Sequence, residues 1–146
     1  MIMKKIVVIL AYLCIVSMFI ACKGDDPTPL TEEQQTLKQL ARTWSLNSAS
    51  VDGTEVADWF NGLKLSFKES KSFTVENAVP PIWIASGSFE LVKNGSTYTI
   101  KRNDGVDLTI TSLSDSSVTI TMNYQAPPSA RMAGISGSFT FSFEAD

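Results

Sequence analysis

Four carboxylates, Glu55, Asp58, Glu76 and Asp104, fall in or beside connecting segments of this 146-residue chain and are its best-placed groups for acid–base chemistry. Two carboxylates about 5 to 9 Å apart support glycoside hydrolysis, one as the acid and one as base or nucleophile. Their spacing singles out no pair, and exposed loop acids are usually plain solvated charges. The chain has no histidine, which removes Ser-His-Asp, Cys-His and histidine-zinc chemistry. No D-x-D-x-D-G spacing marks a calcium loop, and "NDG" at 103–105 reads as a hairpin turn. The expectation is a protein that is not an enzyme and takes no cofactor and no metal, with a carboxylate glycoside hydrolase as the remote alternative.

Binding chemistry is better supplied. Trp59 and Phe60 adjoin in one long connection, Trp83 follows Pro80 and Pro81, and Arg131 and Met132 follow Pro127 and Pro128. Aromatic and apolar side chains on loops, with one cation among them, suit a small hydrophobic ligand, a glycan face or a protein partner. Those five residues are the candidate ligand-binding set. The alternative is that Trp59 and Phe60 fold inward as a lid over the core.

These loops need a scaffold, and hydrophobic periodicity describes one. Residues 30–43 read as a helix: Thr31 and Gln34 have capping-box spacing, and Leu30, Leu37, Leu40 and Ala41 share one stripe. From Trp44 the period becomes two. Strands are expected over 44–51, 63–68, 72–76, 83–92, 97–102, 106–113, 117–124 and 135–143, separated by turn sequences such as "ESK", "KNGS", "NDG" and "SDS". Eight antiparallel strands in meander order close most simply into an up-and-down barrel, which leaves no exposed edge. A two-sheet sandwich is the runner-up.

In such a meander successive connections alternate between the two ends. The long ones, 52–62, 77–82 and 125–134, fall with 103–105 on one end, and the helix belongs at the other, where Leu37, Leu40 and Ala41 can plug the floor. Bulky inward residues, Phe67, Phe73, Phe89, Phe139, Phe141 and Phe143, predict a filled interior or a shallow cup. Two stretches repeat a layout, "VPPIWIASGSF" and "APPSARMAGISGSF"; their prolines are expected to hold Trp83 and Arg131 outward on opposite lips of one mouth.

The N-terminus is a secretory signal: Lys4 and Lys5, an apolar run from Ile6 to Ala21, then Cys22. About 16 apolar residues fall short of the roughly 20 that span a bilayer, so a retained transmembrane anchor is the lesser alternative. "FIAC" at 19–22 resembles the lipobox of bacterial lipoproteins, and "KGDDPTP" behind it resembles the surface-export signal of Bacteroidota lipoproteins. The resemblance implies cleavage before Cys22, lipidation of that cysteine, and an outer-membrane location facing either the periplasm or the cell surface. "LARTWSL", a tryptophan entering the first strand after a short helix, resembles the start of the lipocalin-like domains of such lipoproteins, with Arg42 where glycine is usual. On this reading residues 1–21 are the signal peptide, 22–29 a lipidated tether and 30–146 the barrel domain.

Removing the signal takes two of the 12 basic residues, so the mature charge is 10 − 15 = −5. Nucleic acid, which needs a basic stripe, is excluded. The functional expectation is a membrane-anchored binding module holding a small apolar or amphipathic ligand, with a non-catalytic subunit of an outer-membrane complex as the alternative.

Overall fold

The computed structural model describes residue 24, residues 27–127 and residues 135–146. Met1–Leu30 and Thr31–Asp146 form two compact units. In the first, Gly24 and residues 27–30 carry no regular secondary structure. The second contains a short helix and a closed antiparallel barrel.

Helix α1 spans Glu32–Leu40. The Thr31 hydroxyl accepts from the Gln34 amide at 3.2 Å and the Gln34 side chain accepts from the Thr31 amide at 2.9 Å, so the capping box forms as its spacing predicts. The helix ends at Leu40, three residues earlier than its periodicity suggests, because the Trp44 indole N–H donates to the Leu40 carbonyl at 2.9 Å. The Leu40 carbonyl thus accepts from both the Arg42 amide, at 2.8 Å, and the indole as the chain reverses into the first strand.

Nine strands follow: β1 (Thr43–Val51), β2 (Thr54–Glu55), β3 (Lys64–Phe67), β4 (Ser72–Glu76), β5 (Ser86–Asn94), β6 (Thr97–Arg102), β7 (Asp107–Leu113), β8 (Ser117–Tyr124) and β9 (Gly137–Ala145). Eight of them run in meander order, and β1 pairs antiparallel with β9 from Trp44↔Ala145 to Val51↔Phe139, which closes the sheet into a barrel. Alternation sorts the side chains. Leu65 and Phe67, Phe73 and Val75, Leu108 and Ile110, Val118, Ile120 and Met122, and Phe139, Phe141 and Phe143 are all buried. A bulge between Leu46 and Ser48 shifts the inward parity of β1 from Trp44 to Ala49.

The two-residue β2 and a 3-10 turn over Ala57–Phe60 lie inside what reads in the sequence as a loop. Asp52 and Gly53, at φ 48° and 82°, make the tight reversal that pairs Val51 with Thr54. The β2 hairpin flanks the upper part of β1, so β3 pairs only with Thr43–Ser45 below it. The fourth expected strand also moves. It begins at Ser86 and not at Trp83, because the Trp83 amide donates to the Val79 carbonyl at 2.9 Å and curls the chain after the prolines. Ile82 and Trp83 are consequently both buried, which two adjacent strand residues facing one core cannot be.

α1 lies at the end carrying the tight turns. Glu33 meets Lys71 of the β3–β4 turn at 3.1 Å, Glu32 pairs with Lys93 just before the β5–β6 turn, and Gln39 bonds Asp115 of the β7–β8 turn at 3.1 Å. Exposed pairs of this kind fix register more than they add stability. Leu40, fully buried with Leu37 packed beside it, is the main anchor, and burying such a side chain contributes about 1.5–3 kcal/mol.

Above that floor the interior is filled by aromatic rings. Phe139 and Phe141 stack at 5.8 Å between centroids, and Phe141 and Phe143 at 6.2 Å. Trp83 meets Phe141 edge-on at 5.3 Å, and Phe60 meets it at 5.0 Å. These stacked and edge-to-face contacts set ring against ring through the interior.

Candidate functional site

The end opposite α1 carries four connections; bonds among the described residues hold the first three, and residues 128–134 of the fourth lie outside those residues. In the first, Glu55 accepts from the backbone N–H groups of Ala49 (3.3 Å) and Ala57 (3.2 Å), setting the 3-10 turn against β1. That turn carries Trp59 outward and Phe60 inward: Trp59 is 51% exposed and Phe60 is 1% exposed. In the second connection Asn77, at φ 54°, donates from its side chain to the Gly62 carbonyl at 2.7 Å and ties the two long loops together. The Pro80–Pro81 peptide is cis, and the Ile82 carbonyl accepts from Arg102 Nη1 at 2.8 Å.

Arg102 is the residue that sequence reasoning missed. It is 4% exposed, lies 5.7 Å from the Phe73 ring centroid and 5.6 Å from that of Trp83, and forms a two-pronged ion pair with Asp104, with Nε at 3.0 Å from one carboxylate oxygen. A guanidinium survives burial when paired and hydrogen-bonded in this way. Partial burial pushes the Asp104 carboxyl upward, but the Arg102 hydrogen bond and charge, with the Val106 backbone N–H, outweigh it and hold the group below its ordinary value. A signal was present: in "TYTIKR" the alternation that turns Ile100 inward turns Arg102 inward too, and Asp104 follows two residues later.

Together these elements enclose an apolar cup of about 160 Å³ lined by Trp59, Phe60, Val79, Pro80, Pro81, Ile82, Tyr124 and Ile135. Of the five expected binding residues, Trp59 and Phe60 line it. Trp83 does not face outward as expected: it is fully buried against Phe141, Phe143 and Arg102, and its indole N–H has no acceptor among the described residues. The turn that buries it, not the prolines' stiffness, decides its direction. Arg131 and Met132 lie outside the described residues, as does Cys22. Tyr124 and Ile135 join the cup without having been expected, although Tyr124 continues the inward parity of Val118, Ile120 and Met122.

The four carboxylates have divided roles. Glu55 is engaged by two backbone donors and Asp104 by Arg102, while Asp58 and Glu76 are exposed. Among the described residues no group of three or more acids or other ligating side chains comes together as a metal site. What the arrangement offers chemically is a small dry surface with a half-exposed indole on its rim.

The repeated "SGSF" also acquires a physical meaning. Ser88 donates its backbone N–H to the Asn103 side chain at 3.2 Å, and Ser138 donates its own to the Asp52 side chain at 2.9 Å. In each case a β-carbon on the preceding glycine, Gly87 or Gly137, would collide with that same partner side chain. Glycine is there so that a neighbouring loop can grip the strand as it leaves the rim. Compared with protein-family models, with curated proteins and with solved structures, the chain matches none of them.

Proposed function

We propose that this protein is an outer-membrane lipoprotein, acylated at Cys22, whose barrel binds one small apolar group of a ligand in the cup beside Trp59. The observation that carries the reading is the cup itself: an apolar hollow of about 160 Å³ at the end where all the long connections gather. A dry apolar cavity of roughly 150 Å³ accepts a single benzene ring. The ligand group is therefore one ring or a short branched chain, and a full-length acyl chain is too large. Binding through one such group, with no buried charge in the lining, is a matter of shape and desolvation.

Tryptophan emission tests it directly. Trp44 and Trp83 are fully buried, so Trp59 is the indole at the mouth. Titrating the protein with cyclohexanol or 2-phenylethanol is expected to shift the Trp59 emission saturably, and Trp59→Phe is expected to remove the shift. An emission spectrum that stays constant up to the solubility limit of both probes would sink the reading.

The packed interior favours a second reading, in which the same half-exposed Trp59 is an anchor for another protein of an outer-membrane complex. Under it, mild detergent extraction returns a stoichiometric partner that Trp59→Ala releases.

A further inference from the structure

Two asparagines precede glycine, Asn61 in "FNGL" and Asn94 in "KNGS", and that dipeptide carries its own chemistry. The backbone nitrogen of the glycine can attack the asparagine side-chain carbonyl carbon, because no β-carbon shields its approach. A five-membered imide closes and ammonia leaves. Water then opens the ring at either carbonyl, giving aspartate or isoaspartate, in which the main chain runs through the former side chain. The balance is one water taken up and one ammonia released, with no other reactant. The other four asparagines are followed by Ser48, Ala78, Asp104 and Tyr124, whose side chains crowd the attack.

The fold treats the two sites differently. Attack requires the asparagine side chain to be free and the peptide after it to rotate. Asn61 is exposed and lies in a type II turn, with φ −56° and ψ 125°, followed by Gly62 at φ 72°. The Leu63 N–H closes this turn by donating to the Phe60 carbonyl at 3.0 Å, and the Asn77 side chain donates to the Gly62 carbonyl at 2.7 Å. Neither bond touches the peptide between Asn61 and Gly62. Its carbonyl and N–H, and the Asn61 side chain, have no hydrogen-bond partner among the described residues. At Asn94 the side chain and the carbonyl are both held. The side chain donates to the Thr99 hydroxyl at 2.8 Å, the carbonyl accepts from the Thr97 hydroxyl at 3.1 Å, and the residue pairs with Thr97 across the β5–β6 hairpin.

We propose that Asn61 is a site of spontaneous deamidation at the rim of the cup, and that its hairpin protects Asn94 from the same reaction. The consequence is local. Isoaspartate at position 61 inserts an extra carbon into the main chain between Phe60 and Gly62 and adds a carboxylate. The turn that Leu63 closes on Phe60 no longer fits, and the tie from Asn77 to Gly62 is displaced with it. Trp59 and Phe60 line the cup, so the reaction loosens that wall, whether or not the cup takes a ligand.

Ageing the purified protein in mildly alkaline buffer and mapping its peptides by mass spectrometry reads both sites at once, since each conversion replaces an amide NH2 with OH. Conversion at Asn61 is expected to run about tenfold faster than at Asn94, a ratio that two hydrogen bonds supply. In guanidinium chloride the two rates should come together. The emission of Trp59, the exposed indole, should drift as the wild type ages and stay constant in Asn61→Gln, whose longer side chain closes a ring far more slowly. Equal rates in the folded protein, or a ratio that guanidinium leaves unchanged, overturn the assignment. A drift that Asn61→Gln retains, or fully converted protein with unchanged emission, overturns the coupling of Asn61 to the cup wall.

Discussion

Arg102 and Asp104 show how a single ion pair holds the rim. Arg102 is enclosed by Phe73, Trp83 and the Ile82 carbonyl, so its charge depends on Asp104 for compensation. Asp104→Asn is expected to cost about 2 kcal/mol in urea unfolding, less than a fully buried pair would lose because the Asp104 side chain keeps some contact with water. The pH dependence follows from the lowered carboxyl. A depressed native value stabilises the fold above the unfolded-state value near pH 4, and that contribution is lost as pH falls through the native value. The urea midpoints of wild type and Asp104→Asn should therefore differ at pH 7 and converge below about pH 4. Equal midpoints throughout would mean that Arg102 is stable without its partner. Arg102 was legible by parity, but a charged residue at a strand end is ordinarily assigned to water, and only the distant Ile82 carbonyl and Trp83 ring make burial acceptable.

At the scale of elements, alternation carried most of the strands, because period-two burial is a local property that a one-residue slip would destroy. It failed where the backbone was controlled by something other than the pleat. Trp83 belongs to a turn closed by the Val79 carbonyl, and β2 arises from an Asp52–Gly53 reversal concealed within a longer connection. The bulge in β1 kept both halves of the strand amphipathic while changing parity between them. The two glycine positions make an element-level prediction. At Gly137, φ is 155° and an added methyl meets Asp52 and Val51, so Gly137→Ala combines backbone strain with a collision. It is expected to destabilise by about 2 kcal/mol, with faster amide exchange at Ser138 than elsewhere in β9. If Gly137→Ala unfolds at the wild-type denaturant concentration, the proposed grip of Asp52 on Ser138 contributes nothing.

For the whole molecule, barrel closure was legible because eight alternating segments in meander order, with no crossover helix, leave few ways to bury two edges. The cup was legible in outline, since connection parity places Trp59, Phe60 and the Pro80–Pro81 loop at one end, and the structure brings them together. Its lining by Tyr124 and Ile135 was not, because that depends on how the rim closes in three dimensions. Membrane attachment is a whole-molecule property of the proposed lipoprotein. Cys22→Ser should abolish incorporation of labelled palmitate, while the circular dichroism of the barrel is unchanged. A variant that still takes up the label, or a wild type that takes up none, would exclude acylation at Cys22.

Helix α1, lying with the tight turns, puts the sealed base of the barrel and its cup at opposite ends. A protein immobilised through α1 therefore keeps its cup open to the solution, whereas one held by the Trp59 turn does not.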